Sequence, residues 1–181
     1  MTFEEKLNRG FELLQDKDID HSLDIARELQ KEDAEAHEPH YLEALIMQQL
    51  NQYDMSMTSI AKAIEAAEDN AVYYNLRGNL YMQKEELKEA EADFDKAIEI
   101  ADTPAAHRNK VMLMLMTDRG ADAFPYLIGR IKADPRDPEN WILMGDMIKR
   151  GGDGEKARTY YEQALKIDPD NEYAQRQIEE I

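Results

Sequence analysis

The sequence predicts an all-α solenoid of five helix–turn–helix units followed by a short C-terminal helix. Three observations predict it. Small residues recur in pairs at a fixed spacing along nearly the whole chain. Apolar residues between them follow helical rather than alternating spacing. The few Gly and Pro, eight and six in number, fall between the apolar-periodic runs rather than in clusters, as punctuation between helices does.

The pairing is clearest near the C-terminus. Trp141-x2-Met144-Gly145-x2-Ile148 is followed by Ala157-x3-Tyr161-x2-Ala164 and then Pro169. Tyr74-x2-Arg77-Gly78-x2-Tyr81 is followed by Ala90-x3-Phe94-x2-Ala97, with the same gaps of twelve from Gly to Ala and seven from Ala to Ala. Steps of 34 residues back from Gly78 and Ala90 reach Ala44 and Ser56, then Gly10 and Ser22. Forward steps from Ala90 reach Ala123 and Ala157, the first of them one residue short. The units are thus 3–36, 37–70, 71–104, 105–137 and 138–171, in a single domain covering 1–181.

Two antiparallel helices approach closely only where neither carries a large side chain. The first small position is Gly10, Ala44, Gly78, Met112 and Gly145 in the five units, and the second is Ser22, Ser56, Ala90, Ala123 and Ala157. Met112 is the exception. A large residue fills the interior of each pair: Ala26, Ile60, Phe94, Leu127 and Tyr161, with Ala26 filling it least. Thr103-Pro104 and Asp137-Pro138 each read as an N-cap residue followed by Pro at the first helical position. First helices are expected near 4–16, 38–50, 72–84, 105–117 and 139–150. Residues 172–181 form a capping helix with Tyr173, Ala174, Ile178 and Ile181 on one face.

This pattern resembles the tetratricopeptide repeat, a 34-residue helix–turn–helix with small, aromatic and Pro residues at these places. Units five and three match best, unit two lacks the aromatic and the Pro, and units one and four are degenerate. The resemblance implies a right-handed α–α superhelix whose first helices line a concave groove. It also implies a protein–protein interaction module, such as an adaptor, scaffold or co-chaperone, that takes a peptide segment of a partner.

Carried onto this chain residue by residue, the groove places include Tyr41, Leu42, Leu45, Gln48 and Gln49 in unit two and Asn75, Leu76, Asn79, Met82 and Gln83 in unit three. In unit five they include Ile142, Leu143, Asp146, Lys149 and Arg150. The register of unit four is open by one residue, so Arg108, Asn109, Lys110, Met112 and Leu113 are all candidates there. Some family members grip a terminal carboxylate with Lys and Asn on three consecutive repeats. Here Asn75 and Asn79 occur in one unit, but Tyr41 and Leu45 stand at the matching places of unit two, which argues against that clamp. Asn side chains donate and accept at once and suit an extended peptide backbone.

Composition narrows the alternatives. No cysteine is present, which excludes disulfides, thiolate nucleophiles and cysteine-ligated metal. The net charge of −17 disfavours nucleic acid and anionic membrane as partners and would steer basic ones. No run approaches the ~18 apolar residues that span a bilayer, and the N-terminus has no signal-peptide core; a cytoplasmic location is the expectation.

Candidates for chemistry are few. His37-Glu38-Pro39-His40 has ligand-like spacing but no third ligand nearby, and reads as exposed histidines at a helix start. Glu85, Glu86, Glu89, Glu91, Asp93 and Asp95 alternate with Lys84, Lys88 and Lys96 as a solvated face. Gly151-Gly152-Asp153-Gly154 has neither the following Lys-Ser/Thr nor the preceding strand of a nucleotide loop and reads as the turn inside unit five. No catalytic residue, metal or cofactor is expected, and the chain is not read as an enzyme. The competing reading is a structural protein that self-associates or packs laterally on a large assembly.

Overall fold

The computed structural model describes residues 1–117 and 119–181. Among them are eleven helices and no strand. They are α1 (Phe3–Gln15), α2 (Ile19–Glu32), α3 (His37–Gln49), α4 (Tyr53–Ala66), α5 (Ala71–Gln83), α6 (Leu87–Ile100), α7 (Pro104–Met116), α8 (Gly120–Ala133), α9 (Pro138–Arg150), α10 (Gly154–Ile167) and α11 (Glu172–Glu179). The predicted first helices are all present, and each starts one residue earlier than expected.

Caps explain where the helices start. The Thr2 hydroxyl accepts from the Glu5 amide while the Glu5 carboxylate accepts from the Thr2 amide, a reciprocal box that satisfies two orphan donors. The side chains of Asn70, Asp137, Asp153 and Asn171 each accept from one first-turn amide at α5, α9, α10 and α11. Pro138 is itself the first residue of α9, where its missing N–H costs nothing. Each of four inter-helix turns contains one left-handed residue: Lys17, Asn51, Glu85 and Gly152, with φ of 63°, 58°, 61° and 89°. Residues 151–153 form the turn inside unit five, as the sequence indicates, and Gly154 opens α10.

The chain divides into two compact units, residues 1–109 and 110–181. In the first, α1 pairs with α2, α3 with α4 and α5 with α6. The small positions do what they must. Ser22 Oγ donates to the Gly10 carbonyl at 2.8 Å, and Ser56 Oγ to the Ala44 carbonyl at 2.6 Å. The second helix therefore lies against the bare backbone of the first. A Cβ on Gly78 would sit 2.5 Å from Cε1 of Phe94, and Phe94 is fully buried. Ala26 and Ile60 are fully buried at the equivalent places of the first two pairs.

Arg77 and Asp93 bridge the third pair through two bonds, Nε to Oδ2 at 2.7 Å and a terminal nitrogen to Oδ1 at 2.8 Å. Asp93 is only 6% exposed, which corrects its placement on a solvated face. It lies on the inner side of α6, directly before Phe94. The Arg77 guanidinium also stands over the rings of Tyr74 and Tyr81; its bond to Asp93 holds its pKa above the usual arginine value.

In the second unit α8, α9 and α10 follow the same rule. A Cβ on Gly145 would meet Tyr161 at 2.6 Å, and Ala123, Leu127, Ala157 and Tyr161 are fully buried. The short repeat is corrected by one residue. The connection before α7 has three residues, 101–103, where those before α5 and α9 have four, 67–70 and 134–137. Val111, 2% exposed, therefore occupies the first small position in place of Met112, and it packs with Ala123 and Leu127.

Candidate functional site

The candidate site is the face of the first helices, built here from α1, α3, α5 and the start of α7 within residues 1–109. Helical geometry repeats a face at intervals of three and four. Measured from the first small position, the places three before and one after carry Leu7 and Phe11, Tyr41 and Leu45, and Asn75 and Asn79. Tyr41 forms the hinge of an aromatic row. Its ring centroid lies 6.1 Å from that of Phe11 and 4.9 Å from that of Tyr73. Burial raises the Tyr41 phenol pKa above its ordinary value. Tyr73 is buried, with its hydroxyl 2.6 Å from Nδ1 of His37, and its phenol is pushed up by burial first and by Glu38 and Tyr41 second.

Beside the aromatic row the face turns polar. Asn109 Nδ2 donates to Asn75 Oδ1 at 2.9 Å. Among the described residues, no intramolecular hydrogen bond engages the side-chain amides of Gln48, Asn79 or Gln83. Gln48 and Asn79 are partly exposed, while Gln83 and Arg108 are exposed. The structure therefore brings Tyr41, Leu45, Gln48, Asn75, Asn79, Gln83, Arg108 and Asn109 onto neighbouring helices, with an apolar side and an amide side.

Several expected groove residues belong to the core instead. Leu42, Leu76, Leu113, Ile142 and Leu143 are between 0% and 6% exposed. The place two before the small residue is buried Leu42, Leu76 and Leu143 in α3, α5 and α9, while α1 and α7 carry Asn8 and Asn109 there. In the second unit Lys110 stands 5.4 Å over the Tyr126 ring, and Met112 is partly exposed. Two polar candidates of α9, Asp146 and Lys149, are engaged by α10 and α11. Asp146 Oδ1 accepts from the hydroxyls of Tyr161 and Tyr173 at 2.8 and 3.0 Å. Lys149 Nζ donates to Gln177 and Glu180 at 2.9 and 3.1 Å. The capping helix thus contacts the side of α9 that the family resemblance assigns to the groove.

Sequence reading missed Phe11, although the same offset applied to Gly10 points to it. It also misplaced the paired histidines. His40 is 9% exposed and His37 partly buried, so neither is a freely exposed helix-start histidine. His40 stands where Tyr74 and Trp141 stand in their units, and that alignment was the available signal. Among the described residues, no group of three or more His, Asp or Glu lies together as a metal site. No helix of the described residues is long and apolar enough to cross a membrane.

Stacked helix pairs with an aromatic and amide face on their first helices define a class of protein, the helical-repeat binding scaffolds. Tetratricopeptide repeat models match residues 37–70, 71–104 and 138–171. The chain belongs to the tetratricopeptide repeat family. It is 35% identical over 120 residues to the Drosophila melanogaster protein O-mannosyl-transferase Tmtc3, a match that spans 65% of this chain and 13% of that protein. Its fold is similar to that of TTC0263, a thermophilic TPR protein in Thermus thermophilus, with a TM-score of 0.77, 15% identity and coverage of 99% and 98% of the two chains. It is also similar to YrrB, described as a TPR protein with an unusual peptide-binding site, with a TM-score of 0.61, 18% identity and coverage of 94% and 89%.

Proposed function

We propose that this chain is a non-catalytic binding module that holds an extended segment of a partner protein across the first-helix face of residues 1–109. The observation that carries the reading is the row of side chains from Phe11 through Tyr41 and Leu45 to Asn75, Asn79 and Asn109. An apolar side chain of the segment rests against Phe11, Tyr41 and Leu45. Its backbone N–H and C=O groups are met by Asn79 and Gln48, whose amides can donate and accept together. Asn109 holds Asn75 in one orientation, which lowers the ordering cost of using the Asn75 N–H2 group in binding. The acidic surface speeds encounter with basic partners. In this reading the protein is an adaptor, scaffold or co-chaperone in the cytoplasm.

Capture of partners from native lysate, followed by calorimetry with the captured protein, tests the reading. The double change Asn75→Ala with Asn79→Ala should weaken binding by about 1–3 kcal/mol if both amides bond the ligand backbone. An unchanged affinity overturns it. A stable homo-oligomer in light scattering, with no peptide affinity, supports the structural alternative instead.

A further inference from the structure

A cleft of about 640 Å³ lies between α2 and α4, with the first turn of α3 in its wall. Its lining is unlike the rest of this acidic chain. Arg27 and Lys31 come from one face of α2, Lys62 from α4, and His40 from α3. Glu35 and Glu65 stand among them, so the lining gathers three cations and two carboxylates in a chain of net charge −17, and Glu43 beside Arg27 balances the third cation. Ala34 and Ala66 supply apolar wall.

The polar groups there are unequally satisfied. Glu43, on the adjoining turn of α3, is taken: it accepts from Gln30 Nε2 and Ser59 Oγ, both at 3.0 Å, and Arg27 Nε lies 3.7 Å from its other oxygen. Lys31 and Lys62 have no ion-pair partner among the described residues. His40 is 9% exposed, and its Nδ1 is buried without a hydrogen-bond partner. A buried polar atom left unpaired is costly and marks a place where a ligand or water completes the structure.

We propose that this cleft is a binding site for a small monoanionic carboxylic acid, held by Lys31, Lys62 and His40. The volume exceeds what a bare ion needs, leaving room for an organic body against Ala34 and Ala66. Arg27 faces Glu43, which leaves Lys31 and Lys62 to meet one carboxylate. A dianion would meet Glu35 and Glu65 unbalanced. Burial first, and then the charge of Lys62, hold the His40 pKa below its ordinary value, against the opposing pull of Glu43 and of the Ala34 carbonyl. The resting ring is therefore neutral. A carboxylate bound beside the ring offsets the charge of Lys62, so the His40 pKa should rise on binding.

Sodium benzoate is a suitable probe, followed by NMR of the full chain with the His40 side-chain nitrogens and the Ala34 and Ala66 amides as reporters. Saturable shifts are expected, with the His40 pKa rising on binding. The double variant Lys31→Gln with Lys62→Gln changes two exposed side chains and should keep the wild-type melting temperature. It should bind benzoate at least about ten-fold more weakly, as the loss of one to two charge-assisted bonds implies. Lys62→Arg in the wild-type background should retain most of the affinity. Methyl benzoate, which keeps the ring and lacks the charge, should give no saturable shift. Non-saturating benzoate shifts, equal affinity in the double variant, or equal binding of methyl benzoate overturns the site. Tighter binding of inorganic phosphate than of benzoate overturns its assignment to a monoanion.

Discussion

The side chain of Asn109 donates a 2.9 Å hydrogen bond to Oδ1 of Asn75, joining α7 to α5 on the face assigned to peptide. Both residues sit where asparagine is a mediocre helix former, and the bond gives each a structural reason to be there. The two amides of α5 should therefore separate by experiment. Asn75→Ala should lower stability by about 0.5–1.5 kcal/mol, the net value of one side-chain bond. Asn79→Ala should leave stability unchanged or raise it slightly, since Ala is the better helix former. Urea denaturation of the two single variants measures the difference; equal midpoints would show that the Asn75–Asn109 bond contributes nothing.

Gly78 faces the Phe94 ring so closely that even a Cβ must displace it. Gly78→Leu should destabilise more than any single surface change, by about 1–3 kcal/mol or more through overpacking. Phe94→Leu in the same chain should recover part of that loss, because it removes the ring that the new side chain strikes. A melting temperature for Gly78→Leu equal to wild type would mean that this helix pair is not closed in the way described.

The Arg77–Asp93 pair makes a different demand. Asp93→Ala leaves a partly buried guanidinium without its carboxylate, a change that costs about 3 kcal/mol when the partner is deeply buried. The Arg77 side chain is 24% exposed, so water reaches the cation and trims the cost toward about 2 kcal/mol. A double-mutant cycle with Arg77→Met measures the coupling, and a coupling near zero would reduce the pair to a surface contact.

Glycine should act in opposite directions at two exposed places. Glu85 adopts a left-handed backbone with φ of 61°, which costs a non-glycine residue roughly 1–2 kcal/mol, so Glu85→Gly should stabilise. Gly129 lies inside α8 with open space where a Cβ would be, so Gly129→Ala should stabilise by about 0.5–1 kcal/mol. Thermal melts of both variants decide; a fall in melting temperature at either position contradicts its backbone assignment.

The fold was legible in the sequence because its determinants are local. Gly78 with Phe94 and Gly145 with Tyr161 announce a close helix pair by spacing alone, and Asp137-Pro138 announces where α9 begins. The position of the short connection was not legible. A shift of one residue inside an apolar run, Val111 to Met116, exchanges equivalent hydrophobic residues, so Val111 and Met112 could not be told apart before the helix starts were known. Asp93 and His40 were misjudged for a related reason. Each is a polar residue on an inner face, and only a partner distant in sequence, Arg77 for Asp93, or the wall of a cleft, for His40, accounts for its burial. Of the site, Tyr41, Leu45, Asn75 and Asn79 followed from the repeat offset. The engagement of Asp146 and Lys149 by α11 did not, since the capping helix lies outside the repeat.

The central claim is that a partner segment lies on the first-helix face, and amide chemical-shift mapping tests it most directly. A peptide selected from a random display library against the full chain would be added to labelled protein. The account predicts shifts concentrated at Phe11, Tyr41, Leu45, Gln48, Asn75, Asn79 and Gln83, with α2, α4 and α6 largely unmoved. Shifts confined to α2, α4 and α6, with the first helices unmoved, would contradict it.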